Sequence, residues 1–159
     1  MGCGCRGREL GGRLAERGWQ VRGTSRGEDG AAEIARAGID AARFDPDLPA
    51  NLLDLVGDVS VVVWLLGSAE GRPEAVEAIH GPRLERLLER LVDTPVRGFA
   101  YEAAGTVPAA SLEVGSAVVE RAAETWRIPV TFLEGNREAD GWAVETAAAV
   151  GELLDGDGA

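Results

Sequence analysis

Lysine is absent from this sequence: all 16 basic residues are arginine, and 27 acidic residues leave a net charge of −11. A field of that sign excludes a nucleic-acid surface, which needs clustered positive charge, but it still permits a local basic pocket for a phosphate. Histidine occurs once, at His80, and cysteine twice, at Cys3 and Cys5. Two cysteines two residues apart are too close for ordinary disulfide geometry. With one histidine besides, the donors for a four-ligand zinc site are missing, and no metal is expected. Both cysteines read as small fillers of a glycine-rich turn. No apolar run reaches the ~18 residues of a membrane helix. The N-terminus also lacks the apolar core of a signal peptide. There is no repeat and no low-complexity tract. These absences describe a cytoplasmic protein that engages neither membrane nor nucleic acid.

What is present begins with the first 26 residues, MGCGCRGRELGGRLAERGWQVRGTSR. Gly2, Gly4 and Gly7 have the spacing G-x-G-x-x-G. A helix is expected from Cys5 to Arg17, stopped by Gly18, and a short strand from Gln20 to Thr24. Glycine turn, helix and strand follow one another as in a dinucleotide-binding crossover. The first glycine permits a sharp turn. The second lets the backbone approach a pyrophosphate, and the third lets the helix pack closely on the sheet. The helix N-terminus then presents free N–H groups and a partial positive charge. The same glycines are otherwise structural punctuation, since the chain has 22 of them. Such a motif follows a central strand, and here only Met1 precedes Gly2. The expectation is that the polypeptide begins earlier, with a segment that supplies the strand.

Downstream, a polar loop over Ser25 to Gly30 leads to a short helix over Ala31 to Ala37. A strand is expected over Asp40 to Phe44 and a break at Asp45-Pro46-Asp47. A helical turn lies within Leu48 to Val56. The apolar, β-branched run Val59 to Leu66 suits a strand buried on both faces of a parallel sheet. His80 is placed in a surface loop before Gly81-Pro82. Pro82 to Val92 is an amphipathic helix, with Leu84, Leu87, Leu88, Leu91 and Val92 on one face. A strand over Val96 to Tyr101, a helix over Ser111 to Trp126, a strand over Pro129 to Leu133 and a final helix over Trp142 to Leu154 complete the pattern. Alternating strands and helices in 159 residues imply one α/β domain with a mostly parallel sheet and helices on both faces. The domain is expected over 1–154, with a frayed polar tail over 155–159. Among the four tryptophans, an exposed one would be an anchor for a homodimer, whereas Trp64 belongs in the core.

From Gly2 to about Leu133 the sequence resembles atypical or extended short-chain dehydrogenase/reductase proteins, including the NAD-dependent epimerase/dehydratase group. The glycine stretch and its TSR ending, the strand end WLLGS, the strand VRGFAYEAAG and the strand IPVTFL carry the likeness. The family's first strand and most of its substrate-binding part have no counterpart. The resemblance implies a Rossmann-like fold and a phosphate loop of Gly2, Gly4, Cys5, Arg6 and Gly7. Thr24, Ser25 and Arg26 would meet the adenosine ribose. No acid stands there to hold the ribose hydroxyls, and Arg26 suits a 2′-phosphate through forked, charge-assisted bonds, so NADP(H) is preferred over NAD(H). Arg26 as a solvated loop residue is the plainer account. Asp45 resembles the residue that contacts the adenine amino group, or else simply starts the turn at Pro46. Leu66, Gly67 and Ser68 would pass along the nicotinamide.

The family's reductive chemistry needs a tyrosine, a lysine four residues later to lower its pKa, and a serine or threonine to orient substrate. Leu112 and Ser116 stand at the tyrosine and lysine positions, although Glu120 does match a residue common in that helix. Glu102, at the end of a strand, is the one weak candidate for replacement chemistry. Arg137 and Glu138 follow the last strand where family members meet substrate. The implied function is a dinucleotide-binding protein, a cofactor sensor without the usual catalysis. The alternatives are an oxidoreductase or epimerase with unconventional groups acting on a small substrate, and a non-catalytic assembly partner.

Overall fold

The computed structural model describes residues Met1 to Asp155, so nearly all of the tail expected at 155–159 lies outside the described residues. Helix α1 runs Cys5–Glu16, followed by strand β1 at Arg22–Ser25, α2 at Glu28–Arg36 and β2 at Asp40–Arg43. A 3-10 turn at Pro49–Asn51 and α3 at Leu52–Val56 lead to β3 at Val61–Trp64. Then come α4 at Pro73–His80, α5 at Pro82–Leu91, β4 at Gly98–Glu102, α6 at Ala109–Trp126, β5 at Val130–Leu133 and α7 at Trp142–Asp155. No helix among the described residues is long and apolar enough to cross a membrane.

All paired strands are parallel. β1 pairs β2 from Arg22↔Asp40 to Ser25↔Arg43. β4 lies between β3, with Val61↔Gly98, and β5, with Phe99↔Val130. The two sheets meet across the first three residues of the chain. The Cys3 N–H donates to Thr24 O at 3.0 Å on one side, and the Leu65 N–H donates to Met1 O at 2.9 Å on the other. The Met1 amino group also donates to Val63 O. Gly2, with φ of 81°, lets so short a piece turn from one neighbour to the other.

Helices cover both faces, as the alternating pattern requires. On one face α5 buries Leu84, Leu87, Leu88 and Leu91, and α6 buries Leu112, Val118, Val119 and Ala122. The four leucines of α5 and Val118, Val119 and Ala122 of α6 pack with Trp64, Phe99 and Tyr101 into the larger core. On the other face Leu10 and Leu14 of α1 join Ala147, Val150 and Leu153 of α7. Gly11 lets α1 lie close on Ile39, just ahead of β2, because a Cβ there would come within 2.6 Å of that side chain.

Three expectations need correction. The segment before Pro82 is a helix, started by Pro73 at its first position, a place where the missing proline N–H costs nothing. His80 is therefore no surface loop residue: it ends α4 with 0% exposure. β3 is shorter than the run Val59 to Leu66, and only Val62 and Trp64 in it are fully buried. Val61 and Val63 are half-buried because a slot of about 200 Å³ opens beside them, between β3 and β1 and below Met1. Trp64 and Trp142 are buried, and Trp19 and Trp126 pack partly against the two cores, so none of the four stands out as a bare surface anchor.

Candidate functional site

At the C-terminal edge of the parallel strands the loops diverge and leave a cleft of about 350 Å³. Its walls include Gly2, Gly4, Thr24, Ser25, Arg26, Asp45, Leu66 and Ser68, contributed by the glycine turn and by the ends of β1, β2 and β3. Crevices at this end of an open α/β sheet are the usual ligand position. The glycine turn is built for a close neighbour. A Cβ on Gly2 would stand 2.4 Å from Leu65 O, whereas a Cβ on Gly4 would meet nothing within 4 Å. Gly4 is the N-cap of α1, with no side-chain cap and no acidic residue in the first turn. The first N–H groups of α1 are thus left for an anion, and the helix dipole adds to their pull.

Other expected site residues fall elsewhere. Gly7 does not wall the cleft; its missing Cβ would lie 3.2 Å from Gly2 O and 3.5 Å from Cys3 Sγ, so it packs α1 against the turn. Cys5 is exposed. Arg6 is engaged by Glu9 at 2.7 Å and Glu138 at 3.5 Å. Gly67 lies behind the wall, where a Cβ would come within 2.1 Å of Ala104 O. Arg26, by contrast, is exposed, and its guanidinium has no hydrogen-bond or ion-pair partner among the described residues. Arg8 and Arg137 also line the cleft, set against Asp45, Asp47 and Glu70.

Glu102, with 1% exposure, sits under this wall rather than on it. Its Oε2 accepts the Gly67 N–H at 2.7 Å, and its Oε1 lies 3.6 Å from Arg137 Nε with no hydrogen bond of its own. Burial pushes its pKa up, opposed by Arg137 and the Gly67 N–H. Arg137 is held from the other side by Trp142, whose ring centroid is 5.9 Å from the guanidinium carbon. The carboxylate thus supports the loop Leu66 to Ser68 and orients one arginine of the cleft.

Behind the same loop lies a pair that sequence reasoning missed. His80 Nδ1 is 2.6 Å from Tyr101 Oη, and His80 Nε2 is 3.1 Å from Leu66 O. A carbonyl can only accept, so Nε2 carries the proton and Nδ1 accepts from the phenol. Burial lowers the His80 pKa and raises that of Tyr101 well above the usual phenol. Both side chains have 0% exposure. The only imidazole and the only phenol of the chain are therefore bonded to each other inside the protein and face no ligand in the cleft. No group of side chains among the described residues could hold a metal ion.

No protein-family model and no curated relative matches the sequence. Solved structures do match in shape. The triphenylmethane reductase of Citrobacter sp., complexed with NADP(H), superposes with a TM-score of 0.63 at 20% identity over 83% of this chain and 46% of that one. A second structure of that reductase gives 0.62 at 22% identity, over the same shares of the two chains. A UDP-glucuronic acid 4-epimerase mutant from Bacillus cereus, in complex with NAD and a fluorinated UDP-sugar, gives 0.62 at 15% identity over 82% of this chain and 53% of that one. The fold is accordingly Rossmann-like, and the chain spans about half the length of these neighbours.

Proposed function

We propose that the cleft holds a nicotinamide dinucleotide, NADP(H) in preference to NAD(H), and that the chain responds to the bound cofactor without the tyrosine–lysine chemistry of short-chain reductases. One observation carries this reading: the uncapped N-terminus of α1 and the unpartnered Arg26 line one cleft. The helix end would take the pyrophosphate through Gly2 to Gly4. Arg26 would take the 2′-phosphate of NADP(H), Asp45 the adenine amino group, and Leu66 to Ser68 would pass beneath the nicotinamide. A bound nicotinamide supplies hydride chemistry. The residues of this chain bind and orient the cofactor, and Glu102 holds the Gly67 backbone in place.

Two kinds of support stand beside the geometry. Two neighbours of the same fold are complexed with NADP(H) and with NAD. The chain lacks the lysine that would activate a phenol, and its only phenol is committed to His80. The regulatory role follows from binding without a proton donor, and a partner surface that changes with cofactor occupancy is its consequence. A small substrate, in the competing oxidoreductase or epimerase reading, would approach from the Arg137 side.

Titration with NADPH and NADH, followed by tryptophan fluorescence and thermal shift, tests the proposal. NADPH is expected to bind in the micromolar range and NADH more weakly. Arg26→Ala should cost about ten- to a hundredfold in NADPH affinity, the scale of a hydrogen bond to a charged group, and leave NADH unchanged. Equal loss for both cofactors would remove Arg26 from the site. Cofactor turnover with any substrate would favour the enzymatic reading.

A further inference from the structure

A smaller cavity, of about 140 Å³, lies between α5 and the turn that follows β2. Phe44, Pro46 and Asp47 of that turn border the larger cleft as well, so the turn is a partition between the two spaces. The middle of the cavity is apolar, walled by Phe44, Pro46 and Leu87. Its inner wall is Trp64, which has 0% exposure. The indole Nε1 of Trp64 is the only buried side-chain donor without a hydrogen-bond partner among the described residues. An indole N–H can only donate. Left without an acceptor inside a protein, it is a standing cost that native structures rarely carry.

The rim has the opposite character. Arg83, Arg86 and Arg90 border the cavity from α5, against one carboxylate, Asp47. Arg83 is committed to the turn: it pairs with Asp47 at 2.7 Å and donates to Ala75 O at 3.2 Å. Arg86 is exposed, and its guanidinium has no hydrogen-bond or ion-pair partner among the described residues. The acids of α5, Glu85 and Glu89, do not border the cavity, and Glu85 is taken by Arg121 at 3.1 Å. Three guanidinium groups against one carboxylate make this rim positive in a chain whose net charge is −11.

A donor at the base, an apolar middle and an unpaired guanidinium at the rim each select for a feature of the ligand. Apolar cavities of about 150 Å³ accept one benzene ring, and a ring packs well against Phe44 and Trp64. A guanidinium takes a carboxylate through forked, charge-assisted bonds. We propose that this cavity binds a small aromatic carboxylate whose ring carries an oxygen acceptor on the side away from the carboxylate. Trp64 Nε1 donates to that oxygen, and Arg86 holds the carboxylate. A bare anion would meet Arg86 and leave the apolar middle unfilled. An uncharged phenol would fill the middle and leave Arg86 unmatched. The site stands apart from the dinucleotide reading, whose Arg26 borders the cleft on the other side of the turn.

The test uses para-hydroxybenzoate, titrated into the protein without any cofactor. Calorimetry gives the affinity, and proton–nitrogen NMR follows the four indole N–H groups, that of Trp64 being identified by its loss in Trp64→Phe. A dissociation constant at or below about 1 mM is expected, within reach of so small a ligand, together with a downfield shift of the Trp64 N–H. Para-methylbenzoate keeps the ring and the charge without the acceptor. It should bind about tenfold more weakly, the scale of one hydrogen bond, without the downfield shift. Arg86→Ala should unfold like the parent and cost about ten- to a hundredfold in affinity, whereas Arg26→Ala should change nothing. Loss of binding in Arg26→Ala with Arg86→Ala unaffected would put the carboxylate in the larger cleft and overturn the proposal. Equal affinity for the two benzoates would overturn it as well, as would the absence of binding up to about 10 mM.

Discussion

Gly67 donates its backbone N–H to Glu102 Oε2 at 2.7 Å, so the end of β4 holds the loop that leaves β3. The bond is made where the carboxylate is almost wholly shielded, and its second oxygen has only a long contact to Arg137. A backbone group in that position depends on a side chain thirty-five residues away.

Replacing Glu102 should reveal that dependence. Glu102→Ala leaves a buried N–H without an acceptor and is expected to cost about 1–3 kcal/mol in urea unfolding, with weaker dinucleotide binding. Glu102→Gln keeps an acceptor of the same shape and should lose much less. If alanine and glutamine behave alike, the hydrogen bond to Gly67 is not what Glu102 contributes.

The pH dependence of stability has two limbs of opposite sign. In the chain that starts at Met1, burial holds the α-ammonium pKa down to about 6 from its ordinary 8.0. Its folded value is depressed, so its contribution is complete above pH 8 and is lost as pH falls through 6. The shift corresponds to about 2–3 kcal/mol between the two. His80 is also depressed by burial and adds a loss below its ordinary value of 6.5. Glu102 is raised, so its contribution is complete below about pH 4, its ordinary range, and is lost as pH rises from there. Unfolding curves from pH 4 to 9 should show the upper limb flattened by N-terminal acetylation and the lower one by Glu102→Gln.

Tyr101→Phe should be a stability variant and not a binding variant. It deprives His80 Nδ1 of its donor within the core, at an expected cost of about 1–2 kcal/mol. Dinucleotide affinity should stay within about twofold, a margin well below one hydrogen bond. A large loss of affinity with unchanged stability would place the phenol in the site after all.

Gly2→Ala tests the turn itself. The position has φ of 81°, and a Cβ would stand 2.4 Å from Leu65 O and 2.9 Å from a Leu66 methyl. Strain of this kind costs about 1–3 kcal/mol, and cofactor affinity should fall with it. Gly4→Ala, where a Cβ meets nothing within 4 Å, should unfold near the parent and lose affinity only if a ligand sits against that surface.

Much of this was legible from residue order. The leucines of α5 recur at 84, 87, 88 and 91, and all four are buried, because a helix that must cover a sheet shows its apolar stripe in sequence. Gly2 and Gly4 line the cleft and Gly7 packs behind it, a division set by where each falls in the turn. What escaped reading lies in contacts between distant segments. His80 and Tyr101 are 21 residues apart, and nothing local marks a histidine that will find a phenol. α4 has a short, alanine-rich pattern whose apolar side becomes evident only once Ile79 and His80 are seen inside. Glu102 ends a strand, where a solvated or catalytic carboxylate is the natural expectation, and it is the Gly67 N–H that draws it inward.

Because the sequence has no lysine, the chain beginning at Met1 has a single primary amine, and that amine is buried and bonded to Val63 O. Amine-reactive reagents therefore have one target, guarded by the sheet. The rate at which such a reagent labels the folded protein measures how often the seam between β1 and β3 opens. A ligand that tightens the glycine turn should slow that labelling, whatever its spectroscopic signature.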